Sequence, residues 1–272
     1  MPECIHGLEL SRCDLCSPKV APKGVPASRA ATGTSATRAS ARVAAGSSRT
    51  ATASKRPINV ADQRIHHVTH LSNLEGILNS GGLFADAYDA WSARPAVDVS
   101  SHDNRNLRRS TAVAGTAAVA DYVPFYLSPD AHLWEAIRAG ATDPRLASAA
   151  VALPASEFVI FVSTVGKVAA LPGRAAADIV VSDRDAADPR AHFAASSDDY
   201  ARMLRRLSAD RDSGAALSAE FLVKDTVPLS AFSLVGVAND KARARVRTIL
   251  QSFQFQPRIA VHPPWFAVPT SA

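Results

Sequence analysis

Apolar and polar positions follow the clearest pattern between residues 65 and 83. Residues 65–69 alternate between apolar and polar side chains, which predicts a short strand. The residues that follow predict an amphipathic helix that starts near Ser72 or Asn73 and stops at Gly81 and Gly82. Its apolar face repeats at helical spacing and consists of Leu71, Leu74, Ile77 and Leu78.

Similar patterns continue to the end of the chain. The run at 157–164 is apolar without alternation, which predicts a strand buried on both faces. Helical spacing predicts helices at 198–211 and 241–253. Further strands are predicted at 121–128, 179–181, 219–224 and 232–237. Strands and helices together predict one α/β or α+β domain over residues 58–272.

Residues 17–57 have a different composition, without one aromatic residue, leucine or isoleucine. Such a segment buries too little apolar surface to offset its chain entropy, so we expect a disordered tether. It carries eight Lys and Arg residues and no Asp or Glu, whereas the whole 272-residue chain has a net charge of +5. The remainder is therefore close to neutral. The tether either aids binding to a phosphate backbone or serves as a passive spacer.

All three cysteines lie in the first 16 residues, beside a histidine. Their spacing, Cys4-x-His6-x6-Cys13-x2-Cys16, offers the four ligands of a tetrahedral zinc site. We expect residues 1–16 to form a zinc knuckle with a structural role, since no coordination position stays open. A redox pair of Cys13 and Cys16, or chance clustering, are the alternatives.

Hydropathy and the first residues indicate where the protein works. The longest strongly apolar stretch, residues 158–162, is far shorter than the roughly 20 residues that cross a bilayer. The chain starts without a basic segment followed by an apolar one, as a secretion signal would require. We therefore expect a cytoplasmic protein with no membrane partner.

The segment from His67 to Leu83 gathers polar groups at the start of a helix. Such a site suits a polar or anionic ligand, for example a dinucleotide. A strand edge with solvated histidines is the plain alternative. Metal binding is disfavoured because adjacent strand residues face opposite ways, so that only His66 and His70 could share an ion.

Five blocks of the chain resemble, in order, those of the DarT ADP-ribosyltransferases. The first block is IHHVTHLSNLEGILNSGGL at 65–83, and the second is HDNRNLRR at 102–109, which resembles a family segment that ends in an essential arginine. The other three are DYVPFYLSP at 121–129, VSDRDA at 181–186 and SAEFLV at 218–223. Each block is weak alone, and the five in register carry the resemblance.

The resemblance implies an α+β fold with the split mixed sheet of ADP-ribosyltransferases, which clamps NAD. It implies transfer of ADP-ribose from NAD to a base, thymidine in single-stranded DNA in the best-known branch and guanosine in another. It also implies a toxin that a macrodomain antitoxin counteracts. The other readings are transfer to RNA or protein, and a non-catalytic nucleic-acid-binding adaptor whose working part is the zinc knuckle.

The resemblance also assigns roles to residues of this chain. Glu220 would be the catalytic carboxylate, and Arg109 would hold the diphosphate or help activate the base. Arg105 and Arg108 lie close by in a segment expected to be a loop, so the register could shift. Without the resemblance, Glu220 is interpreted as a residue on the solvent-exposed face of an edge strand. The residues that would bind NAD or shape its pocket are His67, Thr69, Asn73, Gly82 and Leu83.

The chain departs from the family pattern at three places. Residues 128–134 read SPDAHLW, so an arginine and a proline usual in the family are absent. Arg184 and Asp185 stand where glycine and asparagine or histidine are usual, and His66 replaces a tyrosine. These departures leave NAD use in place and leave open which base and strand type are accepted.

Overall fold

The computed structural model describes residues 59–91, 94–114 and 117–268. The predicted zinc knuckle, with Cys4, His6, Cys13 and Cys16, and the predicted tether at 17–57 lie outside the described residues. Within the described ranges, no helix is both long enough and apolar enough to span a bilayer.

Twelve strands and eight α-helices make up the described part of the chain. The strands are β1 Arg64–His70, β2 Gly82–Phe84, β3 Ala112–Ala114, β4 Ala117–Ala118, β5 Tyr122–Tyr126, β6 Phe158–Thr164, β7 Ile179–Ser182, β8 Phe193–Ala194, β9 Glu220–Lys224, β10 Thr226–Pro228, β11 Leu234–Val237 and β12 Arg258–Val261. The helices are α1 Leu74–Asn79, α2 His102–Ser110, α3 His132–Ala139, α4 Ser148–Val151, α5 Val165–Ala169, α6 Ser197–Ala209, α7 Gly214–Ser218 and α8 Asp240–Leu250.

Eight strands form one mixed sheet in the order β12-β11-β6-β1-β5-β9-β7-β8. Only the pair of β11 and β12 is parallel among these. Two small sheets pair β10 with β2 and β3 with β4. The predicted α+β class with a mixed sheet is thus confirmed.

Strand β6 separates two cores. Val159 and Phe161 pack with α1, α6 and α8 on one face, whereas Phe158 and Ile160 pack with Trp134 of α3 on the other. Each of these β6 side chains is completely buried. The continuous apolar run predicted a strand with two buried faces, and this prediction is confirmed.

The sheet is split between β1 and β5. These neighbours share a single residue pair, His66 with Tyr126, whereas β1 pairs with β6 along all seven of its residues. Beyond that one pair the two strands diverge, and a cavity of about 510 Å³ opens between them. The gap in the sheet therefore creates a cavity next to the strands that carry the predicted site residues.

The second block of the resemblance forms a helix and not the expected loop. Helix α2 has no apolar stripe, and its only large apolar side chain, Leu107, is 46% exposed, so periodicity missed it. Its capping residues were the usable signal. The Ser101 hydroxyl accepts a hydrogen bond from the Asn104 amide at 3.1 Å, and Asp103 lies in the first turn.

Candidate active site

The cavity has walls from both sides of the split sheet. Strand β1 and the β2 turn form one wall, and α2, β5 and the start of β9 form the other. The sequence-predicted residues that line it are His67, Thr69, Asn73, Gly82, Leu83 and Glu220. Arg109 is the one described residue of the predicted set that does not line it.

His67 bridges the split with its side chain. Its Nδ1 lies 2.9 Å from the carbonyl oxygen of Pro124 on β5. A carbonyl only accepts, so Nδ1 carries the hydrogen and Nε2 is left as an acceptor. Burial lowers the pKa of His67 below its usual value, which keeps the imidazole neutral at pH 7. The neutral ring thus links β1 to β5 across the split.

Asn73 is committed to the protein itself. Its amide group donates to Thr69 Oγ1 at 3.1 Å and to the Val97 carbonyl at 2.8 Å, and its oxygen accepts from the Val97 amide at 2.9 Å. Both amide hydrogens are therefore used. Asn73 fixes the segment around Val97, which forms part of the cavity wall, and has no hydrogen left to donate to a ligand.

Gly82 and Leu83 shape the wall through backbone packing. Gly82 pairs with Pro228 of β10, and a Cβ at this position would clash with the Val227 carbonyl and lie 3.0 Å from Pro228 Cα. Only glycine permits this close approach of β2 and β10. Leu83 is buried in the core beside it. The preceding Gly81, at φ 76°, provides the left-handed turn that leads from α1 into β2.

Glu220 is the first residue of β9, between β5 and β7, and only 3% exposed. The edge-strand interpretation of this residue is therefore wrong. Its Oε1 accepts a hydrogen bond from the Ala186 amide at 3.0 Å, and its own amide donates to Ser182 Oγ at 3.1 Å. Both contacts come from strand β7 and the loop after it, so that loop fixes the carboxylate.

Arg108 binds the Glu220 carboxylate with both of its terminal nitrogens. The Nη1–Oε1 and Nη2–Oε2 distances are 3.0 and 2.9 Å, and the two side chains are 14% and 4% exposed. Burial alone would lower the pKa of Arg108, but the carboxylate raises it above its usual value. The geometry is the planar, bidentate one that arginine favours.

Arg109 points away from this pair. Its Nη2 lies 2.6 Å from Asp86 Oδ2, and its side chain is 45% exposed. One step along an α-helix turns a side chain by about 100°, so neighbouring arginines cannot share one target. The arginine that meets the carboxylate is therefore Arg108, one residue before the one that the resemblance selects.

Three further residues near the Glu220–Arg108 pair were missed from the sequence: Tyr126 and Arg145, which line the cavity, and Asp185, which lies behind its wall. Tyr126 pairs with Glu220 across the β5–β9 register, and burial and this carboxylate raise the pKa of its phenol. Its hydroxyl is therefore neutral. Arg145 lies 2.7 Å from Asp185 in the loop that fixes Glu220. No spacing in the sequence links these residues, because the fold brings them together from distant segments.

Metal ligation has no support among the described residues. They contain no group of three or more His, Cys, Asp or Glu side chains that could hold an ion. His66 packs edge-on against Trp265, and His70 contacts Ser72 and Glu157. The two histidines that could have shared a metal therefore serve in packing and hydrogen bonding.

A buried carboxylate bound by an arginine, at a cavity in a split sheet, fits the ADP-ribosyltransferase site that the resemblance implies. A family model described as "ssDNA thymidine ADP-ribosyltransferase, DarT" matches residues 66–267. The chain belongs to this family and is an NAD-dependent DNA ADP-ribosyltransferase.

Individual relatives agree with this assignment. A DNA ADP-ribosyl transferase of Thermus aquaticus is 29% identical over 212 residues, which cover 74% of this chain and 88% of the relative. The structure of Thermus sp. 2.9 DarT in complex with NAD+ has a TM-score of 0.58 and 25% identity, covering 75% of this chain and 98% of that one. The same DarT in complex with ADP-ribosylated ssDNA has a TM-score of 0.62 and 23% identity, covering 75% and 96%.

Proposed function

We propose that this enzyme transfers ADP-ribose from NAD to thymidine in single-stranded DNA, with Glu220 as the catalytic carboxylate and Arg108 as its partner. The observation that carries the residue assignment is the Glu220 carboxylate, which is buried at the cavity wall and bound by Arg108 through two hydrogen bonds. A buried ionised group is costly unless it has such a partner.

The first chemical step breaks the bond between nicotinamide and ribose. The electron pair of that bond leaves with nicotinamide, and positive charge develops on the anomeric carbon. A fixed carboxylate beside the ribose stabilises this charge in the transition state. Glu220 suits the task because the Ala186 amide and Arg108 fix its position before substrate binds.

The second step joins the anomeric carbon to a ring nitrogen of the base. That nitrogen must lose its proton, which passes to the Glu220 carboxylate as general base. Arg108 carries a fixed positive charge beside that carboxylate. It therefore stabilises the negative charge that the base acquires as its proton leaves. This role replaces the one assigned to Arg109.

The neutral wall would bind NAD. His67 offers an unprotonated Nε2 as acceptor for a ribose hydroxyl, since its Nδ1 is committed to Pro124. Thr69, Gly82 and Leu83 line the same wall. Asn73 contributes indirectly, because its hydrogen bonds to Val97 hold that wall in place.

The remaining parts of the proposal concern the biological setting. We place the protein in the cytoplasm, and the family resemblance supports a toxin restrained by a macrodomain antitoxin. The spacing of Cys4, His6, Cys13 and Cys16 supports a zinc knuckle at 1–16, joined to the 58–272 domain by the basic tether. Together these would raise the affinity for DNA at low salt. Zinc analysis of the full chain should give one ion, lost in a Cys13→Ser/Cys16→Ser variant. A full chain without zinc would remove the knuckle.

Labelled NAD and matched acceptors test the function. We expect label on single-stranded DNA that contains thymidine, and none on the same strand with thymidine replaced by deoxycytidine, on the matching RNA or on added protein. Glu220→Gln should abolish the label, whereas Glu157→Gln, at a partly exposed carboxylate outside the cavity, should retain it. Label on RNA or protein would mean that the enzyme acts on those substrates. No label on any acceptor would favour a non-catalytic nucleic-acid-binding adaptor.

A further inference from the structure

We infer that Arg145 is a positioning residue that locks together the two elements carrying Arg108 and Glu220. Arg108 belongs to α2, and Glu220 is fixed by the loop at 183–192, so the pair depends on two separate segments. A tight turn at residues 143–146 contacts both α2 and the loop at 183–192. A hydrogen bond from the Leu146 amide to the Asp143 carbonyl at 3.0 Å closes this turn. We call it the Arg145 turn. This inference rests on the proposed role of Glu220.

The backbone of the Arg145 turn contacts the start of α2. The Ser101 hydroxyl donates to the Pro144 carbonyl at 2.7 Å, and the Ser101 amide donates to the Arg145 carbonyl at 2.9 Å. Ser101 is also the N-cap of α2. The turn therefore fixes the end from which the helix extends toward Arg108.

The side chain of Arg145 reaches in the other direction. Its Nη1 lies 2.7 Å from Asp185 Oδ2, in the loop at 183–192. Its Nε and Nη2 bind the two oxygens of Asp143 at 2.9 and 2.6 Å, which holds the guanidinium in one orientation. Each of its three nitrogens donates to a carboxylate, so Arg145 acts as a clamp that connects the turn to the loop at 183–192 from its place in the cavity wall.

The clamp reaches Glu220 through one peptide group. Asp185 is followed by Ala186, whose amide donates to Glu220 Oε1 at 3.0 Å. Asp185 also accepts from the Ala187 amide at 2.8 Å, so its carboxylate fixes the backbone on both sides of that donor. Contacts therefore run from Arg145 through Asp185, Ala186 and Glu220 to Arg108, and helix α2 with its N-cap Ser101 closes the chain back to Arg145.

Charge gives the clamp a second effect. The Asp185 side chain is 13% exposed, and it acts with Glu220 in raising the pKa of Arg108. Arg145 is the cation that pairs with Asp185, and it pairs with Asp143 as well. Without Arg145, Asp185 would be a nearly buried carboxylate without its cation and would compete with Glu220 for Arg108.

The test compares Arg145→Met, Asp185→Asn and the double variant in steady-state transfer to thymidine-containing single-stranded DNA. Arg145→Met should lower kcat by about 30-fold, because the loop that fixes Glu220 loosens and Asp185 competes for Arg108. The KM for NAD should stay within about twofold, because the wall formed by β1 and β2 is unchanged. The double variant should recover to within about fivefold of wild type, because it lacks the competing carboxylate. Arg190→Met, in the same loop but 78% exposed, should match wild type.

Hydrogen exchange provides a readout that does not depend on catalysis. The Ala186 amide should exchange at least about tenfold faster in Arg145→Met than in wild type or Arg190→Met, since its loop loses the clamp. The inference would be overturned if both kcat and the exchange rate were unchanged in Arg145→Met. It would also be overturned if the losses in kcat multiplied in the double variant, or if kcat fell only in step with Tm. Glu220→Gln, measured in parallel, reports separately on the proposed function.

Discussion

The two walls of the cavity differ in charge. The wall from β1 and β2 presents His67, Thr69 and Gly82, none of which is charged at pH 7. The wall from α2, β5 and β9 presents Arg108 and Glu220 as a buried ion pair. A neutral wall can bind substrate in its ground state, whereas fixed charges act on charge that develops during reaction. Substitutions on the two walls should therefore affect different kinetic constants.

The largest effect is expected on the charged wall. Glu220→Gln keeps the shape of the side chain but removes its charge and its capacity to take a proton. We expect kcat to fall by about 10³-fold with a small change in the KM for NAD. Steady-state transfer to single-stranded DNA measures both constants. A KM that rises while kcat holds would assign Glu220 to binding and remove the difference between the walls.

The ion pair should also matter for folding. Arg108→Met leaves the Glu220 carboxylate buried without its cation, which should lower the free energy of unfolding by about 4 kcal/mol. The double variant Arg108→Met/Glu220→Gln should be more stable than Arg108→Met alone. Urea unfolding of the single and double variants measures this. Additive losses would mean that the two side chains do not stabilise each other.

The buried histidines of strand β1 should become charged in acid. Burial lowers the pKa of His66 from 6.5 to about 4 and also lowers those of His67 and His70. The unfolded chain then binds more protons than the folded one between pH 6.5 and 4, so stability falls as pH falls through that window. His66 alone should contribute about 3 kcal/mol.

Thermal unfolding at pH 7, 6, 5 and 4 follows this loss, and His66→Phe should flatten the decline. Lys167→Met, which leaves these histidines unchanged, should show the wild-type slope. A decline of equal slope in His66→Phe would place the titrating groups elsewhere.

The smallest effect is expected from Thr69→Val. The change keeps the shape but leaves the Asn73 amide without its Thr69 acceptor, and it loosens the wall around Val97. We expect the KM for NAD to rise about tenfold with kcat within about twofold. Thr69→Ser keeps the hydroxyl that Thr69→Val lacks, so its KM for NAD should stay near that of wild type. A fall in kcat alone would place Thr69 with the reacting groups.

The sequence predicted the apolar elements well because burial leaves a periodic record. Strand β6 and helix α6 lie within two residues of their predicted bounds. Helix α2 was missed because one face of it is solvent and the other is a polar cavity. The choice between Arg108 and Arg109 depended on helical phase, which a loop assignment cannot supply. Arg145 and Asp185 were missed because their contact spans 40 residues.

The most direct test of the account compares two neighbouring arginines. Rates of a single turnover at saturating NAD and single-stranded DNA should be measured for Arg108→Met and Arg109→Met, each with its melting temperature. The assignment of Arg108 as the partner of Glu220 predicts a loss of about 100-fold or more for Arg108→Met and a rate within about twofold of wild type for Arg109→Met. A large loss in Arg109→Met with a near-normal rate in Arg108→Met would contradict it.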